Sequence, residues 1–416
     1  MNKKLIALAV MGLAAAPVLA QSNVAIGGYM AIQVKNYKLD GLNTAARGAV
    51  QSAKNEFRVD DDANSRIWFT GKEDLGGGLD AHFYMESRFG GDNGSAASTF
   101  GLATGNTFVG LGSKDLGTLD FGRLETYYIQ GAGIESDRTS VSAHQANKAI
   151  MGVMGGQTIN RLSRNDNNIR YISPVLGGFK ATVAYSPNFN VDEGKIPAAG
   201  SAVNNAYPNG SAWTLVGEYA NGPLFLNAAY WRATIESDPT ALVAAPNTGY
   251  GTTAQADQKA WRVSGSYKLP MGLKIGLMVD KSQLDNVRAG QLIGTPVNAA
   301  AGGGAVRANG KVVRTAWMLP VSYTFGQHAI YAKYAKAGDL SNFAGAKAGG
   351  SGAKFYNVAY DYALSKRTAF GVSFTKIENE ANGAYQINGA GTTGGGSALV
   401  AGEKASTLQF NLKHSF

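Results

Sequence analysis

The chain closes on Thr407-Leu-Gln-Phe-Asn-Leu-Lys-His-Ser-Phe416, ten residues whose side chains sort by parity. Leu408, Phe410, Leu412, His414 and Phe416 take one side, and Thr407, Gln409, Asn411, Lys413 and Ser415 the other. A period of two is the mark of a β-strand. A last strand that is apolar on one face and wet on the other is a poor edge for a soluble sheet, because its apolar face needs cover. In a transmembrane barrel, lipid provides the cover and another strand takes the edge.

The same alternation recurs upstream. Within residues 23–37, Val24, Ile26, Met30, Ile32 and Val34 share a face opposed by Gln33 and Lys35; within 178–187, Phe179, Ala181, Val183 and Tyr185 oppose Lys180, Thr182 and Ser186. Within 272–284, Leu273, Ile275, Leu277 and Val279 oppose Lys274, Asp280 and Ser282. The polar faces carry charge, which predicts a wet lumen. A soluble sandwich would instead bury its apolar faces between two sheets.

Residues 1–20 read as a secretory leader: Lys3 and Lys4, an apolar stretch over 5–16, and Val18-Leu19-Ala20 before a cleavage expected after Ala20. The apolar stretch is too short to span a bilayer, and no later stretch approaches the roughly twenty apolar residues of a spanning helix. A barrel escapes that exclusion, because only half of each strand faces lipid; the mean hydropathy of −0.13 is compatible with one. The exported part, 21–416, is expected to be a single barrel domain. It has no cysteine for disulfides, so it needs another source of stability, and a sheet closed on itself is one. Fifty-five glycines and nineteen tyrosines against eleven prolines is an all-β composition. The net charge of +9 drops by two, to +7, when Lys3 and Lys4 leave. That basic excess fits nucleic acid, lipopolysaccharide or anionic solutes; no basic cluster interleaves with stacking aromatics, so nucleic acid is the least expected, and outer-membrane lipid with its lipopolysaccharide is the expected surrounding partner.

Turn chemistry gives a strand count. Short Gly/Pro/Asn/Asp connections occur near 75–79, 114–118, 174–178, 220–223, 269–272, 324–327 and 363–366. They alternate with long polar stretches near 38–62, 91–103, 125–166, 187–210, 236–256, 285–310, 339–351 and 379–402. Fifteen connections imply sixteen strands, an even number with both termini on the short-turn side and the last strand closing against the first. Pro320 lies inside one predicted strand; lacking an N–H, it predicts a bulge or a rim position there.

Ser65-Arg-Ile-Trp-Phe-Thr-Gly-Lys-Glu-Asp-Leu-Gly-Gly-Gly-Leu-Asp-Ala-His-Phe-Tyr-Met-Glu-Ser-Arg88 resembles strands two and three of the Gram-negative general diffusion porins, especially their betaproteobacterial branch. Val109-Gly-Leu-Gly-Ser113, Gly117-Thr-Leu-Asp-Phe-Gly-Arg123, Asn167-Asn-Ile-Arg-Tyr-Ile-Ser-Pro174, Leu364-Ser-Lys-Arg367 and the terminal Lys-His-Ser-Phe416 resemble the same family in the same order. The resemblance implies a sixteen-stranded, trimeric, antiparallel outer-membrane barrel with short periplasmic turns and long outer loops. Its third loop, about 125–166, would fold into the lumen as a constriction where arginines face carboxylates. Arg66, Glu86 and Arg123 match family positions, and Arg161 or Arg164 falls near another. The family's usual Pro-Glu-Phe-Gly-type segment is absent from that loop, leaving Glu135 and Asp137 as candidates for its acidic side. Strict alternation sets Arg123 on the side of Leu119 and Phe121, so it reaches the lumen only if Gly122 hosts a bulge. The resemblance also implies that Phe416 is read by the outer-membrane assembly machinery.

A barrel this wide leaves an aqueous channel, so the expected activity is passive diffusion of ions and small hydrophilic solutes, with no catalysis. Expected inward cations are Lys35, Arg66, Lys72, Lys180, Arg262, Lys274, Arg314 and Lys333, against Asp80, Glu86, Glu218, Asp280 and Asp361. Their excess predicts a weak anion preference. Two alternatives remain: a channel selective for phosphate or an organic anion, and a barrel hydrolase built around a histidine such as His82 or His144. The four histidines lack metal-binding spacing, and no cofactor is expected. Asp60-Asp-Asp62 resembles a divalent-cation site beside lipopolysaccharide phosphates, but three adjacent loop carboxylates are more often simply solvated. Trp68, Trp231, Trp317 and several tyrosines are expected in the interfacial girdles.

Overall fold

The computed structural model describes residues 23–41, 55–61, 65–92, 102–125, 149–154, 157–158, 164–187, 210–235, 257–287, 310–341, 347–387 and 399–416. Sixteen wall strands follow one another round a closed antiparallel sheet. They are β1 (Asn23–Asp40), β2 (Asn55–Asp60 and Arg66–Gly76), β3 (Leu79–Arg88), β4 (Thr107–Ser113), β5 (Gly117–Glu125), β6 (Arg164–Ile172), β7 (Phe179–Ser186) and β8 (Gly210–Asn221). The second half runs β9 (Leu224–Ile235), β10 (Asp257–Lys268), β11 (Leu273–Val287), β12 (Gly310–Phe325), β13 (His328–Ala337), β14 (Ala353–Ala363), β15 (Thr368–Asn379) and β16 (Lys404–Ser415). All seven expected short turns join strands, and two-residue strand pieces ornament the third loop and the β13–β14 connection.

Closure is made by the C-terminal strand. β16 pairs with β1 from Tyr29↔Ser415 to Asp40↔Lys404. Beyond that ladder, Gly28 and Phe416 exchange backbone hydrogen bonds of 3.2 and 3.1 Å. Gly28 lies on the lipid side with Ile26 and Met30, and a Cβ there would sit 2.4 Å from the Phe416 ring and 2.7 Å from the Arg66 carbonyl. The missing side chain is the notch that receives the terminal aromatic ring.

Faces alternate as expected. Val24, Ile26, Leu277, Val358, Leu408 and Phe410 are exposed to the bilayer, while Gln33, Lys35, Asp120, Asp280 and Gln409 turn inward and are buried. Trp68 and Trp231 depart from the girdle expectation. Trp68 fills the inner space left by Gly27, and Trp231 is fully buried on the inner face, beside the outward Tyr230.

Two irregularities differ from expectation. β2 starts ten residues earlier than the acidic run suggested: Asn55–Asp60 pairs with the upper half of β1, and Arg66 resumes opposite Tyr29. The intervening excursion is locked from both sides. Ser65 donates its hydroxyl to the Ala31 carbonyl and accepts the Ala31 N–H, while the Asp61 carboxylate accepts the Ser65 and Gly91 N–H groups. Asp60 forms a 2.7 Å ion pair with Lys35. These two carboxylates therefore hold the wall together; Asp62 lies outside the described residues. Pro320 makes neither a bulge nor a rim. Its ladder to β13 runs unbroken through Pro320↔Lys333. Around Pro320, pairing to β11 lapses between Ile275↔Val321 and Met278↔Met318 without change of register; the register shift of this ladder lies further along, between Leu284 and Val287. The missing N–H is thus confined to one side.

Gly28→Ala should crowd both the Phe416 ring and the Arg66 carbonyl. A cost of about 1–3 kcal/mol is expected for such overpacking. Heat-induced unfolding in detergent micelles should show a lowered midpoint, whereas Gly217→Ala, whose new Cβ would meet Phe179 no closer than 3.5 Å, should leave it unchanged.

Candidate functional site

Adjacent strands alternate in step, so inward residues of β2 through β6 fall into one charged field. At its centre is Glu86 of β3, whose carboxylate is 3 % exposed. Arg66 Nη1 approaches its Oε1 at 3.4 Å, Arg88 Nε donates to the same oxygen, and Arg164 Nη1 lies 3.8 Å away. Tyr84 donates its hydroxyl to Oε2 at 3.1 Å. Gly105 passes directly over this group, where a Cβ would stand 2.2 Å from Oε1. Arg66 and Lys413 also sit over the Tyr29 ring, with Arg66 Cζ and Lys413 Nζ 5.0 and 4.2 Å from its centroid. Cations over an aromatic face are held by its quadrupole without being neutralised.

Arg123 and Arg164 separate here. An irregularity is present next to Gly122, whose φ is +143°, but the inserted residues belong to β6. Asp166 and Asn167 stand opposite the single Arg123, with Asn167 at φ +53°. Arg123 forms an ion pair with Asp166 and remains one-third exposed. Arg164, paired on the ladder with Glu125, is the one that reaches Glu86. Glu135, Asp137, Arg161 and His144 lie outside the described residues. Arg88 ends the Ser65–Arg88 motif and was not singled out from sequence. Its parity with Glu86, two residues away on the same face, was the available signal.

Nearer the short turns, a second chain of charges links Lys72, Asp80, His82, Asp120 and Arg170. Lys72 is 3.0 Å from Asp80, and the His82 ring lies between Asp80 (3.0 Å) and Asp120 (2.9 Å). Arg170 Nε donates to Asp120 at 2.9 Å. Both ring nitrogens thus face carboxylates. Lys180 pairs with Glu218 and Arg262 donates to Asn227, while Lys274 stands opposite Lys268 on the ladder.

The third loop touches the far wall. Arg314 of β12 and Asp280 of β11 form an ion pair in which both side chains are wholly buried. Arg314 also donates to the Ile150 carbonyl, Gly152 N–H donates to Asp280 Oδ1 at 3.2 Å, and Ser282 Oγ to the same oxygen at 3.0 Å. Ile150 and Met151 then pack on Met278, Ala316, Met318, Ala335 and Phe355, joined by Tyr385 and Ile387 from the β15–β16 connection. The inner wall is therefore not wet throughout: around Met278, Met318, Phe355 and Ile377 the β11–β15 sector is apolar and covered by chain.

A closed barrel lined by fixed cations and entered by its own loop is a channel of the outer-membrane type. The chain belongs to the Gram-negative porin family, whose model matches residues 7–382. The "Outer membrane porin protein 32" of Delftia acidovorans is 25% identical over the whole of both chains. An outer membrane porin protein of Bordetella pertussis is 28% identical over 272 residues, 64% of this chain and 66% of that one. Among solved structures, the "Anion-selective porin from Comamonas acidovorans" superposes with a TM-score of 0.67 at 20% identity, covering 95% of this chain and 100% of that chain. The protein is accordingly a porin of the outer membrane, a passive diffusion channel.

Removing one partner of a buried ion pair strands the other charge, at about 3–5 kcal/mol. Arg314→Met should therefore release Ile150 and Gly152 from the wall. In planar bilayers, single-channel conductance should rise and current noise increase relative to the parent; an unchanged, quiet conductance would show that the loop is held elsewhere.

Proposed function

We propose that the channel passes ions and small hydrophilic solutes with a weak to moderate preference for anions, set by the arginines gathered around Glu86. The observation that carries this reading is the gathering of arginines on the Glu86 wall: Arg66, Arg88, Arg123 and Arg164 against Glu86, Glu125 and Asp166, with Lys413 over the Tyr29 ring answered by Asp361. Guanidinium charge is permanent, and a carboxylate shared by several arginines fixes their geometry while leaving a positive remainder. The arrangement differs from an arginine row facing an acidic loop across water, since Glu86 touches its arginines along one wall. The relative named anion-selective agrees with this sign.

A reversal potential in a potassium chloride gradient tests it. Chloride preference is expected, falling in the double variant Arg66→Ala/Arg88→Ala and rising in Glu86→Gln; cation preference of the parent would overturn the reading. Block of conductance by sub-millimolar phosphate or an organic anion would favour the substrate-selective alternative. We read the protein as non-enzymatic because both His82 nitrogens face carboxylates and no hydroxyl nucleophile. Loss of a measured lipid or peptide hydrolysis in His82→Ala would reverse that.

The assembled form is proposed to be a homotrimer, reached after leader removal following Ala20 and through recognition of Phe416 by the assembly machinery. Deleting Phe416 should lower the amount of assembled oligomer in the membrane, scored by heat-modifiable electrophoretic mobility. The conductance of whatever folds should stay the same, because the ring lies outside the lumen.

A further inference from the structure

Four aromatic side chains stand on the wet side of the wall, on the short-turn flank of the arginine field. Tyr29 of β1 is the ladder partner of Arg66, Trp68 follows two residues after Arg66 on β2, and Tyr84 and Phe108 are cross-strand partners on β3 and β4. Parity turns them inward together with Arg66, Glu86 and Gly110. Elsewhere on the inner face Trp231, Tyr331 and Phe355 are buried, whereas these four keep part of their surface open. A ring left partly open on a wet face forfeits part of the gain of burial.

The rings are ordered as a strip. Tyr84 and Phe108 stack with 15° between their planes and centroids 5.7 Å apart, and Trp68 meets Tyr29 edge to face at 6.3 Å. Trp68 stands opposite Glu86, hence diagonal to Tyr84, which joins the two pairs. Cations flank the strip at both ends: Arg66 and Lys413 over Tyr29, and Arg170 Cζ 5.3 Å from the centroid of Phe108. The Trp68 indole N–H meets no acceptor among the described residues. Glu86, the acid beside the strip, is already engaged by Arg66, Arg88 and the Tyr84 hydroxyl.

We propose that this strip is a resting site for aromatic carboxylates passing through the channel, the carboxylate meeting Arg66, Lys413 and the Trp68 N–H and the ring lying along Trp68, Tyr84 and Phe108. The proposal rests on the anion reading of the same wall and adds the ring to it. Aromatic faces are negative and edges positive, so a guest ring gains from edge-to-face or offset contact here. A saturated acid keeps only the ionic half of the site, and an uncharged ring only the stacking half. A ring bearing an ammonium group meets Arg66, Lys413 and Arg170 as like charges.

Block of the potassium chloride current through single channels in planar bilayers tests this, with benzoate, cyclohexanecarboxylate and benzyl alcohol as probes. Benzoate should halve the current at a concentration about two- to tenfold below that of cyclohexanecarboxylate, the margin an aromatic pair supplies; benzyl alcohol should block least. The comparison of the two acids is made within each variant, so a change in conductance does not disturb it. Discrimination should vanish in Trp68→Leu/Phe108→Leu and persist in Trp261→Leu, whose ring faces lipid. Should the double variant not fold, as scored by heat-modifiable mobility, Trp68→Leu and Phe108→Leu singly should each weaken the discrimination. A chloride-preferring parent blocked equally by both acids would overturn this proposal alone, and a potassium-preferring parent would overturn the anion reading together with it. Undiminished discrimination in the aromatic variants, or block by benzyl alcohol as strong as that by benzoate, would also overturn it.

Discussion

A backbone polar group inside a bilayer has no water to fall back on, and each one left unpaired costs several kcal/mol. That constraint governs the whole chain. It requires strand sixteen to find strand one, and the Gly28–Phe416 hydrogen bonds carry the pairing to the last residue. It explains why Pro320 sits where it does, since its lost donor affects pairing with β11 alone while the β13 ladder continues. It also explains the lock on the β2 excursion: Ser65 supplies the partner that the interrupted ladder withdraws from Ala31, and Asp61 accepts the Gly91 N–H beside it.

Once the sheet is closed, alternation sends every second side chain inward, and the interior must satisfy those groups by itself. It does so in two ways. In the β2–β6 sector the inward groups are charged and answer one another across neighbouring strands. In the β11–β15 sector, small and apolar inward groups such as Met278, Met318 and Phe355 are covered by chain from the third and last long connections, with a few charged groups set among them. The buried Asp280–Arg314 pair belongs to the second kind. Its cost of desolvation is offset by hydrogen bonds to Ile150, Gly152 and Ser282.

What was legible in the sequence was whatever is locally encoded. Strand number followed from turn residues, and lipid-facing identity from parity, because both depend on neighbours within a few positions. Arg66 and Glu86 were readable from the Ser65–Arg88 motif. The upper half of β2 was also encoded, with Phe57 and Val59 alternating against Glu56, Arg58 and Asp60, but the adjoining acidic run masked it as loop. The partner of the third loop was not encoded locally at all: Ile150 and Arg314 are 164 positions apart. Nor could parity say that Met278, Ala316 and Met318 would face protein instead of water, because a covered inner wall and an open one have the same period.

The two halves of the interior are related by the barrel's own geometry. In a ring of sixteen strands, β3 and β11 lie eight places apart, which is the diameter. The loop leaves the wall at β5 and returns at β6, beside the arginine field, yet its residues 149–152 are bonded to β11 and β12. A chain that starts and ends on one side and is fastened to the other must cross the lumen. Fastening it to the dry wall leaves the surplus positive charge around Arg66, Arg88 and Arg164 on the opposite side of the crossing. In the function we propose, the ion pair and the arginine cluster are two parts of one device: the first would fix where the passage is narrowed, and the second the sign of the surface that a solute meets there.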